Sequence, residues 1–358
     1  MDYLHRKGVN MSEVTAMSDV TAHFVADALG LTGPDLSLTA TPVGAGQVAR
    51  CFRLELSSGG VPLGSVIAKT PSDDNASRAT AALQHLYVRE TRFYDELAPS
   101  VAIRTPRCYL NQSDADDNFL LLLEDFSPVT GADQFSGLSV EQARIGLREL
   151  AGLHGPTMHR SEIHEAAWLG GVSNELAPIY SSILPGLFSD FLLRYSDAIS
   201  AESRQIIAEL GDKLSLYSGY ETPHRCVVHG DFRSDNLLFH ASGGAVPLAV
   251  VDWQTVSTGS PMLDVAYFLT TSLLPEDRRA HEEELLNFYL DELRQYQQSF
   301  RVEQMQREYR RYTLQPIVML VAASVIVERT ERGDRMFLTM IDRGVQAATH
   351  WHAIEELG

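Results

Sequence analysis

The spacing of apolar residues changes period several times along the chain. Val20 to Leu29 places its apolar residues on one face of a short helix, closed by Gly30. From Leu36 to Thr70 apolar and polar residues alternate, interrupted by Gly44, Gly46 and a turn at Ser57 to Gly60. That punctuation predicts a three-strand antiparallel meander. "ASRATAALQHLYVRETRFYDEL" then predicts a helix of roughly six turns, with Leu83, Tyr87, Glu90, Tyr94 and Leu97 on one face. Two further strands follow, "TPRCYLNQ" and the almost wholly apolar "NFLLLLEDF".

Past that point helical spacing dominates. Ser139 and Gln142 form a capping box, and the helix they open carries Ala143, Leu147, Leu150, Ala151 and His154 as a stripe. Helices continue through "IYSSILPGLFSDFLLRYSDAI" and "AESRQIIAELGDKLSLY". Strands interrupt at "CVVHGD" and "NLLFHASGGAVPLAVVDW" before helices resume. The predicted class is α+β. An N-terminal extension with a short helix (1–35) precedes a strand-rich part (36–126). A junction near Glu124 to Pro128 leads into a larger helical part (127–358).

With 358 residues, 44% hydrophobic and 21% charged, the chain can bury a core of ordinary globular size. Its 47 acidic and 29 basic residues leave a formal charge of -18. Such a field repels polyanions, so nucleic acid is not an expected partner. Any phosphate site must be built locally. The longest apolar run, Ile317 to Val327, falls short of the roughly 20 residues a bilayer span needs, and no membrane insertion is expected. Cys51, Cys108 and Cys226 lie far apart, without paired-ligand spacing, which points to a reducing compartment. The N-terminus lacks a long apolar signal core, so the expected location is cytoplasmic.

One stretch asks for more than a core. "VVHGDFRSDNLLFH", Val227 to His240, sets a histidine, two aspartates, an arginine and an asparagine between apolar runs, and Asp252 follows Asn236 by sixteen residues. Between them lie a strand, a Gly-rich turn and a second strand. A hairpin would therefore bring Asn236 and Asp252 to one rim, with Asp231 on the loop just before. Carboxylate and amide oxygens converging there suit a hard divalent cation such as Mg2+. A carboxylate left beside the metal can accept a proton from an attacking hydroxyl, the minimal apparatus of phosphoryl transfer. The alternative at this stage is that Asp231 and Asn236 merely cap the hairpin.

On these residues the chain resembles the aminoglycoside phosphotransferase-like small-molecule kinases, which share the protein-kinase fold. "HGDFRSDNLLF" and "VVDWQTVSTGSPMLDVAYF" are similar to a branch related to ecdysteroid kinase-like proteins and to kinase domains fused to acyl-CoA dehydrogenases. The resemblance implies a bilobal fold with a small sheet-bearing N-lobe and a larger, mainly helical C-lobe. It implies ATP and Mg2+ as cofactors, with Asp231 catalytic and Asn236 and Asp252 as metal ligands. It also implies a sheet lysine on the α- and β-phosphates, held by a helix glutamate. Lys69 is the only lysine between Lys7 and Lys213, and Glu90 sits in the apolar stripe of the following helix. Gly44 and Gly46 would belong to a loop over the phosphates, although Ala49 stands where a third glycine is usual. The backbone from Glu124 to Phe126 would meet the adenine. His229 and Asp264 are expected to be structural, and His154 a core histidine.

Departures bear on the substrate. Gly230 stands where protein kinases carry arginine, and only eleven residues separate Asp252 from Asp264. That leaves no room for a phosphorylatable loop and a peptide platform. The expected acceptor is a hydroxyl on a small molecule, whether an antibiotic, a sterol-like compound or a hydroxyacyl thioester. Two other readings stay open: a catalytically silent kinase-fold binding module, and a metal-dependent hydrolase using His229, Asp231 and Asp252.

Overall fold

A computed structural model of the chain describes residues 17–44, 48–114, 117–170, 177–327 and 329–358. It divides into two compact units. One lies within Met1–Pro99 and Pro106–Ser127, the other within Ser100–Thr105 and Pro128–Gly358.

The first unit begins with α1 (Ala22–Leu29). The Thr21 hydroxyl accepts the Phe24 N–H at its start, and Gly30, at φ 69°, ends it in the left-handed region. The meander follows as β1 (Leu36–Val43), β2 (Ala49–Ser58) and β3 (Val61–Pro71). After α2 (Asn75–Leu83) and α3 (Leu86–Arg92) come β4 (Cys108–Ser113) and β5 (Phe119–Glu124). The five strands form one antiparallel sheet in the order β1-β2-β3-β5-β4. Phe52, Leu54, Val66, Ala68, Leu120 and Leu122 pack with Val20 and Val25 on the α1 side. Lys69 and Leu121, one residue out of phase, take the other side, where α3 lies over β4 and β5. Cover on both faces explains why "FLLLL" is apolar throughout rather than alternating.

The long helix expected from "ASRATAALQHLYVRETRFYDEL" is instead broken. Gln84 caps α2, His85 turns left-handed at φ 55°, and α3 runs into a wide π-turn at Phe93–Leu97. The break rotates the stripe, so Leu83 is 56% exposed while Tyr87, Glu90, Tyr94 and Leu97 are buried.

The second unit opens with the short strand β6 (Thr130–Gly131) and α4 (Val140–Thr157), whose Ser139–Gln142 capping box is formed in both directions. Then come α5 (Ser161–His164), α6 (Ala177–Tyr195), α7 (Ala201–Asp212) and α8 (Leu214–Ser218). The strands β7 (Cys226–Val228), β8 (Leu237–Ala241), β9 (Val246–Val250) and β10 (Ser257–Gly259) carry the polar stretch described above. β8 and β9 form the expected hairpin, while β7 pairs antiparallel with β10. Helices α9 (Pro261–Ser272), α10 (Pro275–Arg294), α11 (Val302–Tyr312), α12 (Gln315–Ile326) and α13 (Glu331–His350) complete the unit. The buried Arg343 of α13 donates to the carbonyls of Gln134, Phe135 and Thr271, tying the segment before α4 to the end of α9. Among the described residues no helix is long and apolar enough to cross a membrane.

Leu122 is fully buried between β3 and β4 in the sheet. Leu122→Ala is expected to lower stability by about 2–5 kcal/mol. Urea denaturation followed by circular dichroism should show the midpoint fall with the slope unchanged.

Candidate functional site

In the first unit, Lys69 lies on the central strand β3, between Cys51 of β2 and Leu121 of β5. A solvated edge-strand position is thereby ruled out. Its Nζ is 2.8 Å from Glu90 Oε1 and 2.6 Å from Oε2, with the two side chains 8% and 1% exposed. A carboxylate buried to that degree needs a cation, and Lys69 supplies it. Gly44 has φ 75° just after β1, whereas Gly46 lies outside the described residues. Glu124 is engaged with Arg107: its N–H donates to the Arg107 carbonyl at 2.8 Å, and its carboxylate accepts the Arg107 N–H at 3.0 Å. Phe126 is buried. Between them Asp125 accepts from Arg53 and Ser65, and burial, which pushes its carboxyl up, is outweighed by those donors, so it sits below the ordinary range.

In the second unit, β7 delivers the chain to His229 and a loop that ends in a single 3-10 turn, Ser234–Asn236. Phe232 is the apolar peg of this loop, fully buried with its ring edge-on to Phe268 at 5.0 Å. The residues on either side, Asp231 and Arg233, stay partly accessible. The Asn236 side chain donates through Nδ2 to the Asp231 carbonyl at 2.9 Å and to its Oδ2 at 3.0 Å. The Asn236 carbonyl accepts the Val251 N–H at 3.1 Å, which sets Asp252 beside it at the open end of the hairpin. Asp252 itself has φ 68° and ψ 70°. A left-handed aspartate is tolerated but strained, a cost that collects at functional positions.

His229 is fully buried and holds two parts of the site together. Its Nδ1 accepts the Asp231 N–H at 3.2 Å, so the proton is on Nε2, which donates to the Val251 carbonyl at 3.1 Å. Both ring nitrogens are committed, which removes the histidine that the hydrolase reading needs. Among the described residues no group of three His, Cys, Asp or Glu side chains could hold a metal ion.

Behind the loop lies Asp264, in the first turn of α9. Its carboxylate accepts the His229 N–H at 2.6 Å and the Gly230 N–H at 2.9 Å, and meets His154 Nε2 at 3.2 Å. His154 is a core histidine as expected, joined through Nδ1 to the Tyr289 hydroxyl at 2.8 Å. Burial pushes the Asp264 carboxyl up, but the bonds from His154 and the Gly230 N–H outweigh it and hold it below the ordinary range. Gly230 needs to be glycine: its φ is 85°, and an added Cβ would lie 2.6 Å from the Thr255 carbonyl oxygen.

Three contacts were not anticipated from the sequence. Arg233 Nε straddles the Asp231 oxygens at 3.1 and 3.2 Å, and its Nη1 reaches Asp235 and, at 3.7 Å, Met336 Sδ of α13. The Tyr267 hydroxyl donates to Asp231 Oδ1 at 3.1 Å. Gln254 Nε2 donates to Asp252 Oδ2 at 3.2 Å, leaving Gln254 Oε1 buried without a hydrogen-bond partner. The Asp252 carboxylate and the Asn236 side-chain amide, at the open end of one hairpin, offer the hard oxygens that suit a divalent cation.

An antiparallel sheet holding a buried lysine–glutamate pair, with a hairpin site carried on a mainly helical unit, defines the kinase-like class of small-molecule phosphotransferases. The chain belongs to the ecdysteroid kinase-like family, which matches residues 48–302. An uncharacterized kinase-like protein of Caenorhabditis elegans is 23% identical over 266 residues, 70% of this chain and 68% of that protein. Acyl-CoA dehydrogenase family member 11 of Gallus gallus is 36% identical over 74 residues, 21% of this chain and only 9% of that protein. Among solved structures, a Ralstonia eutropha protein assigned in its own name to the aminoglycoside phosphotransferases covers 91% of this chain and 98% of its own, with TM-score 0.53 and 16% identity. The GDP complex of aminoglycoside 2'-phosphotransferase-IIIa gives TM-score 0.52 at 14% identity, covering 86% of this chain and 92% of its own. At such identities the likeness of the structures is one of fold.

Two outcomes test this geometry. Gly230→Ala is expected to cost at least about 1–3 kcal/mol, from the left-handed backbone and the clash together, read as a lower denaturation midpoint. Asp264→Asn should cost about 3 kcal/mol at pH 7, since an amide cannot accept from two N–H groups and an imidazole as the carboxylate does. Because the folded carboxyl lies below its unfolded value of about 3.9, its stabilisation is complete above that pH and lost as pH falls through the folded value. The gap between wild type and Asp264→Asn should therefore close as pH is lowered below about 4, in urea titrations at stepped pH.

Proposed function

We propose that this protein transfers the γ-phosphate of ATP, with Mg2+, to a hydroxyl group of a small molecule. The observation that carries the reading is the convergence of Asp231, Asn236 and Asp252 at the mouth of one buried hairpin, in a chain of this family. Nucleotide use is supported by the GDP complex of a structural neighbour.

In this reading Lys69, held by Glu90, binds the α- and β-phosphates. Asn236 and Asp252 would hold the metal ion, whose bound charge offsets that of the phosphates. Asp231 orients the acceptor hydroxyl and takes its proton as the oxygen attacks phosphorus. Arg233, next to Asp231, supplies positive charge on the same loop in a chain that is strongly acidic overall. The short Asp252-to-Asp264 segment is used up by a 3-10 turn, by β10 with its pairing to β7, and by the start of α9, which favours a small acceptor over a peptide.

Asp231→Asn is expected to lower single-turnover phosphate transfer at least about 100-fold while leaving ATP binding intact. Asp252→Asn should instead abolish the magnesium-dependent part of the thermal shift produced by ATP. The measurement is ATP consumption against a panel of hydroxylated antibiotics, sterols and hydroxyacyl thioesters. Full transfer by Asp231→Asn would defeat the assignment. A magnesium-dependent ATP shift with no turnover on any acceptor would favour the silent binding module.

A further inference from the structure

Helix α9, "PMLDVAYFLTTS", is buried along nearly its whole length, yet it sends two polar side chains toward the same loop. Asp264 and Tyr267 are three residues apart and therefore share a face. Asp264 takes the backbone of His229 and Gly230, and Tyr267 takes the side chain of Asp231. Building on the phosphotransferase reading above, we propose that Tyr267 is a positioning residue, whose hydroxyl fixes the rotation of the Asp231 carboxylate so that it meets the acceptor in one orientation.

Three side chains hold that carboxylate, and they differ in how firmly they are placed. Arg233 lies across both oxygens but shares its guanidinium with Asp235 and Met336. Asn236 has a second task at the metal position. Tyr267 is 2% exposed, and its ring is rooted in a helix that cannot shift without disturbing the core. Burial, reinforced by the charge of Asp231, raises its phenol well above the ordinary value, so the hydroxyl stays protonated and donates across the working pH range. Tyr267 bonds Oδ1 and Asn236 bonds Oδ2. One donor on each oxygen defines the carboxylate plane even when Arg233 is drawn aside. Arg233 fills the second lone pair of each oxygen, and drawing it aside frees one on each for an incoming O–H.

Tyr267→Phe keeps the ring and removes only the hydroxyl. With MgATP as the probe and water as acceptor, ADP release is expected to fall about 10-fold with KM for ATP unchanged. A crystal structure of the variant should show the carboxylate rotated or spread over two positions. A carboxylate that keeps its place, with a wild-type rate, overturns the positioning role and leaves the phosphotransferase reading standing. Undiminished turnover by Asp231→Asn defeats that reading itself.

Discussion

Two successive backbone N–H groups, those of His229 and Gly230, point at the buried carboxylate of Asp264, and the shape of the candidate site follows from that contact. A carboxylate out of water is costly unless its lone pairs are filled. Here they are filled by two amides and an imidazole, with the N-terminal end of α9 adding a favourable dipole. In return the loop is held in a conformation that only glycine can adopt at residue 230. Asp231 then emerges next to Asn236, and His229 turns inward to bind both the loop and the strand before Asp252. Remove the carboxylate and three donors become orphans together.

The first unit applies the same logic with the signs exchanged. Lys69 sits on a central strand where an unpaired ammonium would be expelled to solvent or deprotonated, and Glu90 supplies the charge that keeps it in place. The strand phase is essential. Ala68 and Val66 face α1 and Lys69 faces α3, so a slip of one residue would send the lysine into the apolar layer. The sheet register therefore selects where the charge appears.

How much of this could be read in advance depended on whether the signal was local. The hairpin from Leu237 to Val250 was legible because a strand, a glycine turn and a strand leave one way to fold, and Asn236 and Asp252 follow from it. Lys69 and Glu90 were legible because a charged residue in an apolar pattern demands a partner. The capping box at Ser139 was purely local. The break at His85 was not legible: neither glycine nor proline marks it, and a left-handed histidine is fixed by the packing of α3 rather than by propensity. Tyr267 and Gln254 were missed because a tyrosine or glutamine among apolar neighbours reads as core or surface. A polar residue three positions after a buried aspartate was the available clue. Arg233 was visible in "DFRSDN", but its partner could not be assigned between two equidistant aspartates, and it binds both.

The brevity of the segment from Asp252 to Asp264 decides how the loop is anchored. In those residues the chain makes a 3-10 turn, pairs β10 with β7 and enters α9, so Asp264 arrives directly behind the loop that β7 delivers. A longer insertion would place the anchoring carboxylate under the control of whatever ordered the insertion. Here no such step intervenes. The loop, its glycine, its histidine and its anchor are assembled by strand pairing and by one helix end, and Tyr267 reaches the loop from the same helix. The loop and its anchor are therefore in place whenever the second unit is folded.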